Sequence, residues 1–194
     1  MQKRRKLVYG VGVNDSDYKV FFKLNGKQVT CPFYETWNGM LKRCYSQKFQ
    51  AKQPTYIGCY VRSEWHRFMA FREWMSQQDW QGKALDKDLL FPENKVYGPD
   101  SCVFVTQQLN SFTTDRAASR GDWPIGVYWG KHAGKFRALC CNPFIGKREH
   151  LGYFACPEAA HEAWRKRKHE LALQLAAGQT DTRLAKALSI RYLK

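Results

Sequence analysis

Two stretches in the first half of the chain place apolar side chains at the spacing of an amphipathic helix. Within residues 33–45 they recur every three or four positions, while Lys42 and Arg43 fall off that face. Ser63 is a candidate cap for the second stretch, which continues through residue 75 with a broad apolar side rich in aromatic residues. These patterns predict two helices that pack through aromatic side chains.

Shorter runs with alternating character predict strands. Residues 8–13 and 18–24 suggest short β segments, and Asn25-Gly26 is typical of a hairpin turn before residues 28–30. Further along, residues 83–90 and 102–105 predict two strands joined by a polar loop, and a helix capped by Thr106 should run to Asp115. Strand, loop, strand and helix follow one another in the order of a ββα unit.

The second half has a separate pattern of strands and helices. After a polar linker at 116–123, three short strands are predicted at 124–129, 135–141 and 150–154, followed by a helix from Pro157 to about Ala177. The final residues predict a short amphipathic helix. The expected fold class is therefore α+β: an N-terminal β-hairpin and helices with a ββα unit, then a three-stranded antiparallel sheet packed on one helix.

The charge balance narrows the class of partner. The chain carries 32 Lys and Arg residues against 17 Asp and Glu, a net charge of +15. Such an excess favours polyanions, because each neutralised phosphate releases condensed counterions. Nucleic acid is the first expectation, with an anionic membrane surface or an acidic protein as the alternatives.

Hydropathy and cysteine spacing bear on location and metal content. No apolar run reaches the ~20 residues that a membrane-spanning helix needs, and the chain opens on basic, polar residues. We therefore expect a cytoplasmic protein without a membrane partner. The seven cysteines are scattered and form no C-x-x-C pair, so reduced thiols and no structural zinc are expected.

Two sets of motifs resemble known DNA-processing families. Across roughly residues 8–115, an ordered set of fragments is similar to the HNH (ββα-metal) homing endonucleases of phages and bacteria: Trp37–Tyr45, Glu64-Trp65 with Phe68 and Phe71, Leu85–Asp88, Asn94-Lys95, Tyr97–Cys102 and Val105–Asn110. A second set resembles the APETALA-type DNA-binding domain: Gly126-Val127, Lys135–Ala138, His150–Phe154 and the alanine-rich helix from Glu158. The resemblance implies four regions: a nuclease-like module at 1–115, the linker at 116–123, a DNA-binding domain at 124–178 and a helical tail at 179–194.

The first resemblance implies a site for one divalent cation. Carried over by position, Asp86 is the strand ligand and Asn110 the helix ligand, and Asp88 shares the ion directly or through water. Carboxylate and amide oxygens favour Mg²⁺ or Mn²⁺ over zinc. The position of the general base, normally His, is occupied by Lys87, and a protonated lysine cannot accept a proton from water. Lys87 would instead hold phosphate, and His66 is a substitute base or an ordinary solvated histidine.

The second resemblance implies a sheet laid in the major groove of duplex DNA. Strand alternation turns Tyr128, Lys135 and Arg137 away from the covering helix. The full set of candidate DNA contacts comprises residues of the sheet and its turns and two of the basic cluster on the helix: Tyr128, Trp129, Lys131, Lys135, Arg137, Lys147, Arg148, Arg165 and Arg167.

These features leave several functions open. The leading hypothesis is a phage-type HNH homing-endonuclease-like protein that binds duplex DNA and cleaves it with a metal ion, in the cytoplasm or nucleoid of a bacterial host. The alternative is an inactive nuclease fold that serves as a DNA-binding regulator or as a phage effector against a host protein. A third hypothesis, an RNA-binding module, rests on charge and aromatic content alone.

Overall fold

The computed structural model describes residues 6–114 and 122–193. Its internal contacts divide the chain into two compact units, Met1–Val105 and Thr106–Lys194. The secondary structure is mixed α+β, as predicted. Most of the predicted linker, residues 116–121, and the predicted helix end at Asp115 lie outside the described residues.

The N-terminal unit combines three small two-stranded sheets with three helices. The elements are β1 (Phe21–Leu24), β2 (Lys27–Thr30), α1 (Pro32–Tyr45), α2 (Gln47–Gln50), β3 (Tyr60–Val61), α3 (Phe68–Ser76), β4 (Ala84–Asp86), β5 (Val96–Tyr97) and β6 (Val103–Val105), with 3₁₀ turns at Pro54–Tyr56 and Ser63–His66. Strands β1 and β2 form the predicted hairpin around Asn25-Gly26, and both turn residues have positive φ. Strands β4 and β6 pair antiparallel, whereas β3 and β5 pair in parallel.

Aromatic packing holds this unit together, as the helical spacing predicted. Helix α1 begins with Pro32 in its first turn and buries Trp37, Met40 and Leu41 completely. The Trp37 indole donates a hydrogen bond of 2.7 Å to the carbonyl oxygen of Trp65, so the one polar atom of this ring is satisfied inside the core.

The second helix starts later than predicted, and the first predicted β segment does not form a strand. Residues 63–66 make a 3₁₀ turn, and α3 follows an N-cap at Arg67 rather than at Ser63. The cause is a contact distant in sequence: Val13 N–H donates to His66 O and Phe68 N–H donates to Val13 O. This pairing draws the backbone out of helical geometry, and residues 8–13 contribute only isolated bridges.

The C-terminal unit contains the predicted sheet and its covering helix. Its elements are α4 (Gln107–Thr113), β7 (Val127–Gly130), β8 (Lys135–Asn142), β9 (Lys147–Phe154), α5 (Pro157–Ala177) and α6 (Thr182–Ile190). The sheet is antiparallel in the order β7-β8-β9, and β9 begins three residues before the predicted strand. Val127 and Ala138 of the sheet meet Ala160 of α5 in its small core.

Helix α4 joins this unit through aromatic contacts. The Thr106 hydroxyl caps it by accepting from Leu109 N–H, as predicted. The Phe112 ring meets Tyr192, and Arg191 donates a 3.2 Å hydrogen bond to Thr113 O. Between these elements lies Lys168, whose Nζ is 3.5 Å from the centroid of Phe112. Burial lowers the pKa of Lys168 to about 8, while the surrounding rings stabilise its cationic form.

The helices within residues 6–114 and 122–193 were compared with the requirements for crossing a membrane. None of the helices there combines the length and the apolar character that crossing a bilayer requires.

Position 126 requires glycine because its φ is positive and because the Trp164 ring leaves no room for a Cβ. Substitution of Gly126 therefore tests the packing of the C-terminal unit. The φ of Gly126 is +82°, and a Cβ would lie 2.1 Å from Trp164 Cδ1. We expect Gly126→Ala to lower the free energy of unfolding by roughly 3 kcal/mol, from ~1 kcal/mol of backbone strain and the rest from overpacking. Urea titration of the purified protein measures this change.

Gly134→Ala is the matched control. Gly134 also has positive φ, +58°, but nothing lies within 4 Å of an added Cβ. A decrease of only about 1 kcal/mol is expected there. Equal decreases at the two positions would contradict the proposed contact with Trp164.

Candidate nucleic-acid interface

Strand alternation divides the three-stranded sheet into two chemically different faces. Tyr128, Arg137 and Tyr153 are aligned across β7, β8 and β9 on one face. The neighbouring row, Trp129, Phe136 and Phe154, lies on the other face, where Phe136 and Phe154 pack against the small core under α5.

The face turned away from α5 is here called the open face. A β-bulge places one extra residue, Leu151, on β9 opposite the step from Ala138 to Leu139, and Leu151 packs into the core. His150 therefore lies on the same face as Tyr153, and their ring centroids are 4.8 Å apart. The side chains assigned to this face by register and alternation are Tyr128, Lys135, Arg137, Leu139, Cys141, Arg148, His150 and Tyr153.

Cationic and aromatic groups contact each other on this open face. The Arg137 guanidinium lies 5.7 Å from the centroid of Tyr128, a cation–π distance that limits the conformations of the arginine. The Nε of Arg137 is buried and has no hydrogen-bond partner among the described residues. An arginine held over a ring in this way presents its remaining N–H groups in a defined direction.

Charge is also divided between the two faces. Residues 127–154 contain five basic residues and a single acidic one, Glu149. Glu149 points towards α5, where Arg167 Nε and Nη2 donate to its carboxylate at 2.7 and 3.1 Å. Hydrogen bonds from Arg167 and Asn142 lower the pKa of Glu149 to about 2. The open face and its turns therefore carry positive charge without a carboxylate.

The seven DNA contacts predicted in the sheet and its turns fall into three groups. Tyr128, Lys135, Arg137 and Arg148 lie on the open face. Lys131 and Lys147 are exposed at the two turns of the sheet. Trp129 lies on the helix side, where its ring contacts Phe136 at 4.9 Å, although 45% of the residue remains exposed.

The two arginines predicted on the covering helix have partners within the protein. Arg165 forms an ion pair with Glu162 at 2.7 Å and donates to Leu193 O at 3.0 Å. Arg167 binds Glu149 and also Glu170, at 2.7 and 2.8 Å. Their charge is therefore largely neutralised inside the C-terminal unit.

Sequence reasoning missed Tyr153 and His150 as neighbours on the open face. The bulge at Leu151 changes the alternation, so counting along β9 assigns these two residues to opposite faces. The available signal was Gly152, because glycine inside a strand often marks a bulge. Its φ of +129° bears out that interpretation.

The predicted metal ligands of the N-terminal unit are engaged in local structure. Asp86 ends β4, and its Oδ1 accepts from the backbone N–H groups of Asp88 and Leu89 at 2.9 and 2.7 Å. Burial is the main cause that raises the pKa of Asp86. This carboxylate closes the turn that follows the strand.

The Lys87 side chain is buried and binds groups within the N-terminal unit. Its ammonium group binds the carboxylate of Asp88 and donates a 2.6 Å hydrogen bond to Asn94 O. Asn94 in turn donates to Lys87 O and accepts from Val96 N–H, so the loop is tied at both ends. A shallow depression is lined by Thr55, Lys87, Asp88, Glu93, Asn94 and Lys95.

The donor set is only partly suited to a cation. Carboxylates at Asp86 and Asp88 have the right chemistry for Mg²⁺, but the Lys87 ammonium competes for Asp88. Among residues 6–114 and 122–193, no three His, Cys, Asp or Glu side chains converge as a metal site. The set depends on Asn110, which belongs to the C-terminal unit. His66, the candidate substitute base, has Nε2 hydrogen-bonded with Val61 O at 2.9 Å.

Comparison with known proteins adds no relative. No protein-family model, curated protein or solved structure matches the chain. The functional case therefore depends on the residues and the geometry described above.

The Glu149 ion pair predicts a defined acid dependence of stability. The carboxylate stays ionised in the folded protein down to about pH 2, whereas an unfolded glutamate takes up its proton near 4.5. The stabilisation is complete above pH 4.5 and disappears as the pH falls towards 2. We therefore expect the stability difference between wild type and Glu149→Gln to shrink over this window, as measured by urea unfolding at several pH values.

Glu162→Gln is the control for Glu149→Gln. It also removes one carboxylate, but from the more exposed ion pair between Glu162 and Arg165, both of which lie on α5. It should destabilise the protein less at neutral pH, since exposed ion pairs contribute little. A stability gap for Glu149→Gln that stays constant between pH 5 and 2 would contradict the assigned ion pair.

Proposed function

We propose that the C-terminal unit binds duplex DNA through the open face of its sheet. The observation that carries this proposal is the separation of charge: the only carboxylate of residues 127–154 is turned to the covering helix and neutralised there. Cations on the open face can then contact phosphates without a competing internal partner. Such a protein would act at the nucleoid, in the cytoplasm of a bacterial host.

The side chains suit two kinds of contact. Lys131, Lys135 and Lys147 lie at or beside the turns, where flexible ammonium groups can reach the sugar-phosphate backbone. Arg137 and Arg148 lie within the strands, and a guanidinium can read guanine by two hydrogen bonds in the major groove. The groove is wide enough for a β-ribbon, and α5 leaves the open face uncovered.

Duplex DNA fits this surface better than single-stranded RNA does. Recognition of unpaired bases needs free aromatic faces on which the bases can stack. Tyr128 already contacts Arg137, and Tyr153 already contacts His150. The open face therefore offers oriented cations more readily than stacking platforms.

Removal of the strand cations should weaken DNA binding and its salt dependence. We expect the triple change Lys135→Gln, Arg137→Gln and Arg148→Gln to reduce the slope of log K against log salt by roughly 2 to 3, about 0.9 for each phosphate that the protein no longer neutralises. Fluorescence anisotropy with a random-sequence duplex, repeated over a salt series, measures the slope.

A variant with the same change in net charge distinguishes DNA binding by the open face from nonspecific attraction between a basic protein and DNA. Lys19, Lys23 and Lys27 are exposed in and beside the hairpin of the N-terminal unit, and changing all three to Gln lowers the net charge equally. This variant should keep the wild-type slope. Equal reductions of the slope in the two variants, or tighter binding of single-stranded RNA at matched salt, would refute the proposed interface.

Metal-dependent cleavage of DNA is a second candidate function. It is favoured by chain order: β4, which ends at Asp86, is followed by its antiparallel partner β6 and directly by α4, which carries Asn110. In this candidate function the carboxylates of Asp86 and Asp88 would be ligands of Mg²⁺ or Mn²⁺, which would supply positive charge to the scissile phosphate. Lys87 is not proposed as the base, because its Nζ is engaged by the Asp88 carboxylate and the Asn94 carbonyl oxygen.

Cleavage is tested with supercoiled plasmid in the presence of Mg²⁺, Mn²⁺ or a chelator. Asp86→Ala and Asp86→Asn should both abolish metal-dependent nicking, since each removes the charge. The Asn variant retains an oxygen that can accept from Asp88 N–H and so separates chemistry from folding. Asp79→Ala, which removes an exposed partner of Lys83, should nick like the wild type.

Intact plasmid together with retained DNA binding would exclude the nuclease. The alternative would then be favoured: a DNA-binding regulator or effector in which the N-terminal unit contacts a host protein. Binding and cleavage are measured on the same preparations, so the two outcomes are distinguishable.

A further inference from the structure

The turn between β8 and β9 exposes two large apolar side chains side by side. Phe144 and Ile145 are 52% and 57% exposed, at the end of the longest hairpin of the C-terminal unit. Strand β7 pairs only with Lys135–Ala138, so the outer part of this hairpin extends beyond β7. We call residues 143–146 the tip.

Hydrogen bonds fix the conformation of the tip. Asn142 Oδ1 accepts from Phe144 N–H at 2.9 Å, and its backbone oxygen accepts from Gly146 N–H at 3.0 Å. The same Asn142 donates through Nδ2 to Glu149 at 2.7 Å, and Glu149 is bound by Arg167 of α5. The two exposed apolar residues are thus supported by a partly buried hydrogen-bond network that runs from Asn142 through Glu149 to Arg167.

The surroundings of the tip favour a polyanion. Lys147 and Arg148 follow it directly, and Arg148 lies on the open face. Residues 127–148 contain no Asp or Glu. Phe and Ile are among the apolar side chains that DNA-binding proteins insert between base steps, and the cations beside the tip could contact the neighbouring phosphates.

We propose that Phe144 and Ile145 insert into the base stack of bound duplex DNA and bend it at that step. This inference rests on the proposed DNA binding by the open face. Opening a base step is unfavourable, and the apolar contacts of a pre-formed wedge offset that cost. Pyrimidine–purine steps unstack most easily, so the tip selects sequence through deformability rather than through hydrogen bonds.

The test uses duplexes recovered by selection from a random pool for binding to the wild-type protein. Each carries 2-aminopurine at one position, which brightens on unstacking, or a dye pair at its ends, which reports bending. Wild type should brighten the probe at one step and shorten the end-to-end distance. The double variant Phe144→Ala, Ile145→Ala should lose both signals while keeping the wild-type salt slope, because no charge is removed.

Two control variants make the result specific. Phe144→Leu with Ile145→Leu keeps an apolar wedge and should retain both signals. Leu173→Ala removes an exposed apolar residue from α5 and should behave as wild type. The urea midpoint of the tip variant should be unchanged, because both substituted side chains are exposed.

Several outcomes would overturn the wedge. One is duplex binding by the wild type without unstacking, and another is unstacking that persists in the double Ala variant; in both, the proposed DNA binding stands. A change in oligomeric state or in binding to anionic vesicles, confined to the tip variants, would assign the tip to a second copy or a lipid surface. Failure of the wild type to bind duplex DNA at all would remove both proposals.

Discussion

The ion pair between Arg167 and Glu149 determines the character of the C-terminal unit. It pairs the single carboxylate of the sheet on the side of the covering helix, links β9 to that helix, and orients the Asn142 side chain that shapes the adjacent turn. This one contact contributes to the positive face, to the helix–sheet junction and to the ordered tip. A pair of this kind has a second effect besides stability, because it determines which charges remain available to a ligand.

Most elements of the fold could be predicted from local pattern. Helical spacing located α1, an Asn-Gly pair located the first hairpin, and alternation located the three-stranded sheet. The errors came from contacts between residues distant in sequence. Val13 pairs with the backbone of residues 66–68 and delays the second helix, and no signal near Ser63 reports this.

The candidate interface was predictable only in part, for the same physical reason. Period-two alternation places Tyr128, Lys135 and Arg137 on one face without knowledge of the rest of the fold. It fails beyond the bulge at Leu151. Nor does composition reveal that Arg167 binds a carboxylate 18 positions earlier, or that Lys87 is held by the Asn94 carbonyl. A count of basic residues finds a charged protein, whereas internal pairing decides which of those charges face solvent.

The contact of α4 with the residues after α6 has a consequence for where this chain could be recombined with another. Phe112 and Thr113 contact Tyr192 and Arg191, so α4 packs against the residues that follow α6 in the C-terminal unit. Recombination within residues 116–123 would separate α4 from these partners and leave Lys168 without the Phe112 ring. A functional chimera would therefore need its crossover before Thr106, at the boundary between the two units. A crossover in the polar linker predicted at 116–123 would divide the C-terminal unit.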